Sequence, residues 1–297
     1  MYYALILLSV VMFGGGFGLN DIYRRKRGSS LTVSLESTFV GSLAGFIILL
    51  MIEGFNFELT PFTLLIASLN ALNGILFTFF SFRALDTVNL SLFSIFAMLG
   101  GMMLPFLQGI LFYNESITLA KVICVLLICA ALACTVERGD KKRGLIFCIG
   151  IFVLNGMSGV LSKIYTSSEL PKASAAGYSA LSAAVTVLLA GIAWLILRAV
   201  NVKKAPRDHE LQKSDKKVIL QACGISALQG SINKVANFLL VLSLVHVDAS
   251  LQYPMVTGGT MIVSTVISCF SDKKPGKREI ISVALSFVGV LALFLLK

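Results

Sequence analysis

The sequence predicts an all-α membrane protein in which ten transmembrane helices form two inverted five-helix repeats around a central cavity. Three observations lead to this fold class: a composition too apolar for water, ten apolar runs of membrane-spanning length, and a similarity between the two halves. Of the 297 residues, 57% are hydrophobic and 13% are charged, and the mean hydropathy is +0.88. Soluble domains have about 25% charged residues, so a water-soluble globule is excluded.

Ten runs of the chain are apolar enough to cross a bilayer, which requires roughly 20 mostly apolar residues. The gaps between them are short, which favours a helical bundle over a barrel, whose strands alternate over about ten residues. The first run is expected to be a retained helix, because its basic cluster Arg24–Arg27 follows the apolar segment. The predicted spans are 2–22, 31–52, 62–83, 88–112, 118–136, 144–165, 174–200, 216–244, 248–270 and 279–296.

The net charge of +10 does not indicate a nucleic-acid partner. The basic residues lie in short gaps between apolar runs, where they suit anchoring at the membrane interface. The six cysteines lie in or beside apolar runs without a CxxC pair, and the two histidines match no ligand spacing. We therefore expect no metal site and no other cofactor.

The two halves of the chain share short segments in the same order. GGGFGLNDIY (14–23) aligns with GMSGVLSKIY (156–165), ALNG (71–74) with ALQG (227–230), and MLGGMM (98–103) with VTGGTM (256–261). These matches predict one five-helix repeat over residues 1–137 and a second over 138–297. Because five is odd, the second repeat would cross the membrane upside down. Many secondary transporters have this plan, with the solute site near the midplane between the repeats.

The distribution of basic residues predicts an orientation. Most of the 25 Lys and Arg residues lie in the odd-numbered gaps or at the helix ends beside them. Short loops rich in Lys and Arg favour the cytoplasmic side. The sequence thus predicts a multi-pass protein of the plasma membrane with cytoplasmic odd-numbered gaps and both termini outside.

A lysine lies in the middle of the eighth predicted span, in the stretch SINKVANF (231–238). A charge at that depth costs on the order of 3 kcal/mol or more, and Lys234 therefore needs an offsetting role. Gln229, Asn233 and Asn237 are spaced by four residues, so they share a helix face beside it and are predicted to point inward. In the functional interpretation Lys234 binds an anionic group of a solute or alternates between solute and counter-ion. The alternatives are a structural ion pair and a lysine neutralised by burial.

Four further residues complete the predicted site. Asn73 repeats the amide theme in the third span, and Tyr178 and Tyr253 are candidates to stack on a solute, with packing as their alternative role. Glu36 in the second span is a candidate proton-coupling carboxylate, partner of Lys234 or cation-binding group. Its alternative is a side chain close enough to the interface to reach water.

Other residues are assigned structural roles. Asp21 and Lys163 occupy matching positions in the aligned segments of spans one and six, and both are expected to be solvated helix ends. Pro105 and Pro254 lie at similar depth in spans four and nine and are predicted to interrupt those helices. Small-xxx-small pairs, which allow close helix contact, occur at Gly14 with Gly18 and at Gly41 with Gly45.

Two stretches in the first half carry a family resemblance. AMLGGMMLP (97–105) and GILFYNESITLAKVICVLLICAALA (109–133) look like a fourth helix and a glutamate, here Glu115, that precedes a fifth. With ten short-looped spans, two repeats and Gly-Gly elements in spans four and nine, the whole chain resembles the drug/metabolite transporter superfamily in its ten-helix EamA-like branch. The resemblance implies a carrier of small organic solutes that works by alternating access, with spans five and ten at the periphery.

Two features depart from the pattern of that family. In the second repeat, Lys273 stands at the position that matches Glu115. The gap after span two, EGFNFELTP (53–61), is acidic, whereas many relatives have a basic gap there and cytoplasmic termini. The orientation predicted here is therefore inverted relative to those relatives.

The predicted function is secondary active transport of a small polar or charged organic solute, such as an amino acid or a similar metabolite, across the cytoplasmic membrane, with proton coupling as one option. The expected partners are the solute and the bilayer, and the expected state is a monomer or homodimer. A passive channel and a membrane enzyme acting on a lipid-linked substrate are the alternatives. The sequence lacks HExxH, paired intramembrane aspartates and a nucleotide-binding loop, so a non-enzyme is favoured.

Overall fold

The computed structural model consists of helices and the connections between them over the ranges that it describes: 2–54, 58–113, 118–120, 122–123, 126–127, 130–131, 142–204, 216–244, 246–247, 249–270 and 274–295. The fifth predicted span lies mostly outside these ranges. The helices that follow it are therefore numbered from α5. The helices are α1 (Tyr2–Arg27), α2 (Leu31–Glu53), α3 (Pro61–Thr87), α4 (Leu90–Phe112), α5 (Lys142–Ser167), α6 (Ala175–Lys204), α7 (Lys216–Leu244), α8 (Ala249–Cys269) and α9 (Lys277–Leu295).

Seven helices, α1 to α7, are long and apolar enough to cross a membrane. Their outward faces carry large apolar side chains that are exposed, such as Leu7, Leu65 and Leu188. Exposed leucines in this number suit contact with lipid, which is as apolar as the side chains themselves. The prediction of an all-helical, multi-pass membrane protein is confirmed.

Capping residues fix where the early helices begin and end. The residue before α2, α3 and α4 is in each case an N-cap whose side-chain oxygen accepts a hydrogen bond from the backbone three residues on: Ser30, Thr60 and Asn89. Gly54 ends α2 with φ of 70°, a left-handed conformation that glycine adopts without strain. These caps satisfy helix-end groups within short connections.

The helices of the two halves are interleaved. Helix α1 packs against α7 and α8, and α2 packs against α6 and α7. In turn, α5 packs against α3 and α4, and α6 packs against α2 and α3. Helices α4 and α8 also pack against each other, whereas α9 contacts mainly α8. The principal contacts of each half are thus made with the other half.

Some of these packed pairs run parallel. In α1 and α8 the contacts advance together along both helices: Val10 with Gly259, Gly14 with Val263, and Gly18 with Ile267. In α4 and α5 they advance in the same way: Gly100 with Phe152, Gly101 with Asn155, and Pro105 with Gly159. At these glycines an added Cβ would crowd atoms of the facing helix, so glycine allows the helices of both pairs to approach closely.

Other packed pairs run antiparallel. In α4 and α8 the contacts run in opposite senses: Ser91 with Thr265, and Met98 with Thr257. The contacts between α2 and α6 also run in opposite senses: Phe39 with Trp194, and Leu49 with Ala183. Helices α1 and α7 are likewise antiparallel: Ser9 with Ala236, and Lys26 with Gln221.

Helices α2 and α7 run parallel and meet through glycine. A Cβ added to Gly230 would overlap the backbone of Gly41, and one added to Gly41 would lie 2.9 Å from the carbonyl oxygen of Ser226. One turn earlier, the hydroxyls of Ser37 and Ser226 are hydrogen-bonded at 3.0 Å. The close contacts expected of the pairs Gly41 with Gly45 and Gly14 with Gly18 are confirmed.

The predicted interruptions at the two prolines are wrong. Helix α4 continues from Leu90 to Phe112 through Pro105, and α8 continues from Ala249 to Cys269 through position 254. A proline removes one backbone donor and crowds the preceding turn, but neighbouring helices can hold such a helix together. At Pro105 that neighbour is Gly159 of α5, whose missing side chain makes room for the proline ring.

The glycine contact between α2 and α7 leads to a testable prediction. Gly230→Ala is expected to lower the free energy of unfolding by roughly 1–3 kcal/mol, because the methyl group has no space against Gly41. Gly224→Ala in the same helix is the matched control, since a Cβ there meets nothing within 4 Å, and it should raise stability by up to about 1 kcal/mol. Thermal unfolding in one detergent would compare the variants, and equal midpoints would contradict the prediction.

Candidate functional site

A cavity of about 260 Å³ lies between the two halves. Helices α1 to α8 all contribute to its wall, whereas no described residue of α9 does. The wall extends to Leu244, the last residue of α7, and to Tyr178 near the start of α6. Both lie away from the basic end of the bundle, where α1 ends at Arg27 and α7 begins at Lys216.

Seven of the eight residues predicted for the site line this one cavity. They come from helices α3, α6, α7 and α8, and they converge although the chain separates some of them by more than half its length. The residues are Asn73, Tyr178, Gln229, Asn233, Lys234, Asn237 and Tyr253. Their roles as solute ligands remain a prediction.

Lys234 is the one charged residue in the described wall of the cavity. It is partly exposed, and among the described residues its ammonium has no carboxylate within ion-pair distance. Helix α7 continues from Lys234 to Leu244, a rise of about 15 Å, which is half the thickness of a hydrocarbon core of about 30 Å. The charge thus lies deep in the bundle and faces open space.

Glycines on the facing helices make room for this part of α7. A Cβ added to Gly45 of α2 would lie 2.7 Å from Cγ of Lys234, so the lysine stem fills the space that a side chain would take. On the other side, a Cβ added to Gly16 of α1 would overlap the side-chain oxygen of Asn233. The lysine stem is therefore packed against Gly45, and Lys234 lines the cavity.

The amides around Lys234 differ in how far they are satisfied. The side-chain nitrogen of Asn237 donates to the backbone oxygen of Asn233 at 2.9 Å, within the same helix. The side-chain oxygen of Asn233 is buried and has no hydrogen-bond partner among the described residues. A buried polar atom left without a partner costs roughly 1–3 kcal/mol, and such atoms are frequent at functional sites.

The amides on the opposite wall are tied to backbone. The nitrogen of Asn73 donates to the carbonyl of Leu154 at 2.8 Å, and that of Asn155 donates to the carbonyl of Ala97 at 2.6 Å. These bonds join α5 to α3 and to α4, so both amides have a structural role as well as a place in the wall. Sequence reasoning missed Asn155, although it lies directly before the aligned segment 156–165.

The two predicted tyrosines border the cavity from different helices. The Tyr253 hydroxyl donates to the carbonyl of Gly159 at 3.3 Å, which ties α8 to α5. Tyr178 is buried and stacks on Tyr165 with ring centroids 4.1 Å apart. Each tyrosine therefore serves packing, the alternative role that the sequence left open, and also presents part of its ring to the cavity.

Glu36 is not part of the cavity wall. Its carboxylate binds the guanidinium of Arg27 at 2.9 Å, and both side chains are largely buried at the basic end of the bundle. Its proposed pairing with Lys234 is therefore wrong. Arg27 reaches Glu36 because α1 and α2 are joined by three residues, 28–30, which bring the end of one helix beside the start of the next.

Asp21 and Lys163 are not the solvated helix ends that were expected. They are 6% and 8% exposed, respectively. Asp21 binds Arg24 at 2.9 Å and Arg25 at 2.8 Å. Lys163 lies 5.0 Å above the ring centroid of Tyr113. Asp21 is thus buried among ion pairs and Lys163 against an aromatic ring, contacts that offset the cost of burying polar groups.

Aromatic side chains of α1, α3 and α4 pack together on the side of the cavity toward the basic end. Phe93 is fully buried, and its ring centroid lies 5.1 Å from that of Phe17 and 6.4 Å from that of Phe77. Phe17 and Phe77 are also the last aromatic residues of the cavity wall in this direction. Nearer the basic end, Arg24 of α1 bridges to Asp86 of α3 at 2.6 Å. Aromatic packing and an ion pair thus lie on the side of the cavity toward that end.

The ion pair of Glu36 gives a prediction that separates a structural from a coupling role. Glu36→Gln is expected to lower the free energy of unfolding by about 1–3 kcal/mol, since it leaves the Arg27 guanidinium without a counter-charge. Adding Arg27→Gln should recover part of the loss. Glu58→Gln, at an exposed carboxylate outside the helices, is the matched control. A Glu36→Gln variant as stable as the control would contradict the structural role.

Comparisons with known proteins bear on the fold. No protein-family model matches the chain, and no curated protein matches it. Among solved structures 28 chains match. One of them, described as "Crystal structure of protein", has a TM-score of 0.60 at 15% sequence identity, with 100% of this chain and 99% of that chain covered. At this identity the likeness shows a shared fold along the whole length of both chains.

Proposed function

We propose that the protein is a secondary carrier that moves a small polar or charged organic solute across the plasma membrane by alternating access. The observation that carries the proposal is the cavity between the two halves, which is deep, lined with polar groups, and bordered by packed aromatic rings toward the basic end. A carrier needs a solute site that is reached from one side at a time. Packed aromatic rings on one side of the cavity fit such access from one side at a time.

Packing supports two inverted repeats. When α1 is exchanged with α5, α2 with α6, α3 with α7 and α4 with α8, each major packed pair becomes another major packed pair. For example, α1 with α8 becomes α5 with α4, and both pairs are parallel and built on glycine. The exchanged helices α2 and α6 pack antiparallel, as do α4 and α8. Such exchange in opposite directions is the pattern of an inverted repeat.

The same directions support ten helices. Helices α4 and α5 run parallel and side by side, so the chain between Phe112 and Lys142 has to return to the other end of the bundle. The fifth predicted span, 118–136, lies in that connection. Among its described residues, Ala131 accepts a hydrogen bond at 2.9 Å from Ser282 of α9. A peripheral pair formed by this span and α9 agrees with the resemblance to the drug/metabolite transporter superfamily.

Orientation follows from the basic end under the same proposal. Short basic segments favour the cytoplasm, so the end with Arg24–Arg27 and Lys216 would be cytoplasmic and the termini would lie outside. The cavity reaches the opposite end, and this conformation would then face outward. An alternating carrier would also need a second conformation in which the aromatic rings around Phe93 separate.

Two alternatives fit the cavity less well. A passive channel would need a continuous path, whereas the packed rings of Phe17, Phe77 and Phe93 stand on the side of the cavity toward the basic end. A membrane enzyme would need groups placed for proton transfer or nucleophilic attack. Over the described part of the wall, no carboxylate, histidine or cysteine accompanies Lys234.

Transport by counterflow tests the proposal. Proteoliposomes would be preloaded with a mixture of small carboxylates, amino acids and amines, and exchange with the same labelled solutes outside would be followed by mass spectrometry. We expect at least one solute to exchange with saturable kinetics and to be accelerated by the preloaded mixture. Gly74→Trp should abolish this exchange, because residue 74 lines the cavity beside open space.

The control for that variant is Gly224→Trp. Position 224 is exposed, has no neighbour within 4 Å of an added Cβ, and lies outside the cavity wall, so the exchange rate should stay within about twofold of the wild type. Flux that rises linearly with concentration and shows no counterflow would support a channel instead. Equal exchange by Gly74→Trp and the wild type would place the pathway outside this cavity.

A further inference from the structure

We infer that the solute is an organic anion, a small monocarboxylate with an apolar body, and that its carboxylate binds Lys234. This inference rests on the proposed carrier function and narrows its solute class. The sequence alone left amino acids and anions as equal candidates. The charges around the cavity now separate them.

The first step is the count of charges that face the solute. Lys234 provides one positive charge, and the described wall has no negative charge to balance it. Three carboxylates of the first half are instead paired at the basic end: Asp21 with Arg24 and Arg25, Glu36 with Arg27, and Asp86 with Arg24. The cavity is therefore an electropositive site, and the ligand supplies the missing counter-ion.

The second step compares the three charge classes of solute. A cation would be brought beside an unpaired ammonium in a medium of low dielectric constant, which is unfavourable. A zwitterionic amino acid would place its carboxylate well but would leave its own ammonium without a carboxylate in the described wall. A monoanion satisfies Lys234 and leaves no charge unpaired, so it is the class that fits.

The third step concerns the rest of the solute. The wall beside Lys234 includes the apolar side chains Leu240 and Val241 of the same helix, and Phe13, Phe17 and Phe77 face the cavity from α1 and α3. Inorganic anions have no surface to bury against such groups. A carboxylate attached to an aliphatic or aromatic body would bury that body at about 25 cal/mol per Å² of apolar surface. The wall thus favours an organic anion over phosphate or sulfate.

The fourth step concerns the hydrogen-bond acceptors around the Lys234 ammonium. The glycines Gly41 and Gly45 of α2 replace side chains where α7 passes, and the lysine stem lies against Gly45. No serine, carboxylate or backbone carbonyl among the described residues accepts a hydrogen bond from its ammonium. A structural lysine is held by acceptors, as Lys172 is by the carbonyls of Tyr165, Thr166 and Ser168. Lys234 lacks such acceptors, so its partner is expected to come from outside the protein.

The test uses probes that share a skeleton and differ in charge. One series is 3-phenylpropionate, phenylalanine and phenethylamine, and the other is butyrate, 2-aminobutyrate and butylamine. Binding to the purified full-length protein in lipid nanodiscs would be measured by titration calorimetry up to 10 mM. We expect the carboxylate of at least one series to bind at least about tenfold more tightly than the zwitterion and the amine.

Variants of Lys234 assign that selectivity to one group. Lys234→Met should weaken carboxylate binding on the order of tenfold to a hundredfold, since a charge-assisted hydrogen bond is lost. Lys234→Arg should retain part of it. Lys277→Met removes an exposed lysine at the start of α9 and should leave binding unchanged. Near-equal affinity of Lys234→Met and wild type for the carboxylate would overturn the inference, as would tighter binding of an amine or amino acid, or no carboxylate binding at all.

The outcomes also separate this inference from the proposed carrier function. Saturable counterflow of a cation or zwitterion, without carboxylate binding, would overturn the organic-anion inference and leave the carrier in place. Lys234-dependent carboxylate binding without counterflow of that same probe would retain the anion site and overturn the carrier. The thermal midpoint of Lys234→Met in the same nanodiscs shows whether the variant is folded, so that a loss of binding can be assigned to the missing ammonium.

Discussion

The contact between Gly41 of α2 and Gly230 of α7 is the constraint on which the rest of the site depends. Here the two halves of the chain touch backbone to backbone, without side chains between them. Everything one turn further along α7 is positioned by this approach, including Asn233 against Gly16 and Lys234 against Gly45. The deep charge is therefore set by small residues rather than by a polar partner. Within a bilayer, where burial in protein gains little over burial in lipid, such close packing is a main source of helix association.

Under the proposed repeat, the two halves share a packing plan but differ in chemistry. Asn73 and Gln229 stand at matching positions of the aligned segments 71–74 and 227–230, and both line the cavity. The same alignment offset matches Thr78 with Lys234, and Thr78 also lines the cavity. Similar backbones thus present a hydroxyl on one side and an ammonium on the other. Under the proposed repeat, the wall is symmetric in shape and asymmetric in charge, so a solute with one charged end would have a preferred direction in it.

The inward polar residues could be predicted from the sequence because membrane helices impose a simple rule. Gln229, Asn233 and Asn237 recur every four residues, and a polar stripe in hydrocarbon has to face protein or water. The same logic failed for Glu36. Its partner Arg27 lies nine residues away, across the connection between α1 and α2, and helix spacing rules do not describe such a contact. It also failed at Pro105, where the decisive neighbour, Gly159, is in another helix. Local pattern gives the face of a helix, whereas the partner on that face depends on tertiary packing.

The interleaving of the helices has a consequence for how the chain is assembled. The hydroxyl of Ser9 in α1 hydrogen-bonds to the backbone of Ala236, a residue 227 positions later. During synthesis α1 therefore enters the membrane long before the helices that cover its inner face exist. Asn20, which is buried in the finished bundle, becomes covered only after those helices are made. Long-range contacts of this kind slow folding because distant segments must meet. The inner face of α1 therefore needs a temporary partner, protein or lipid, until the ribosome has completed α7.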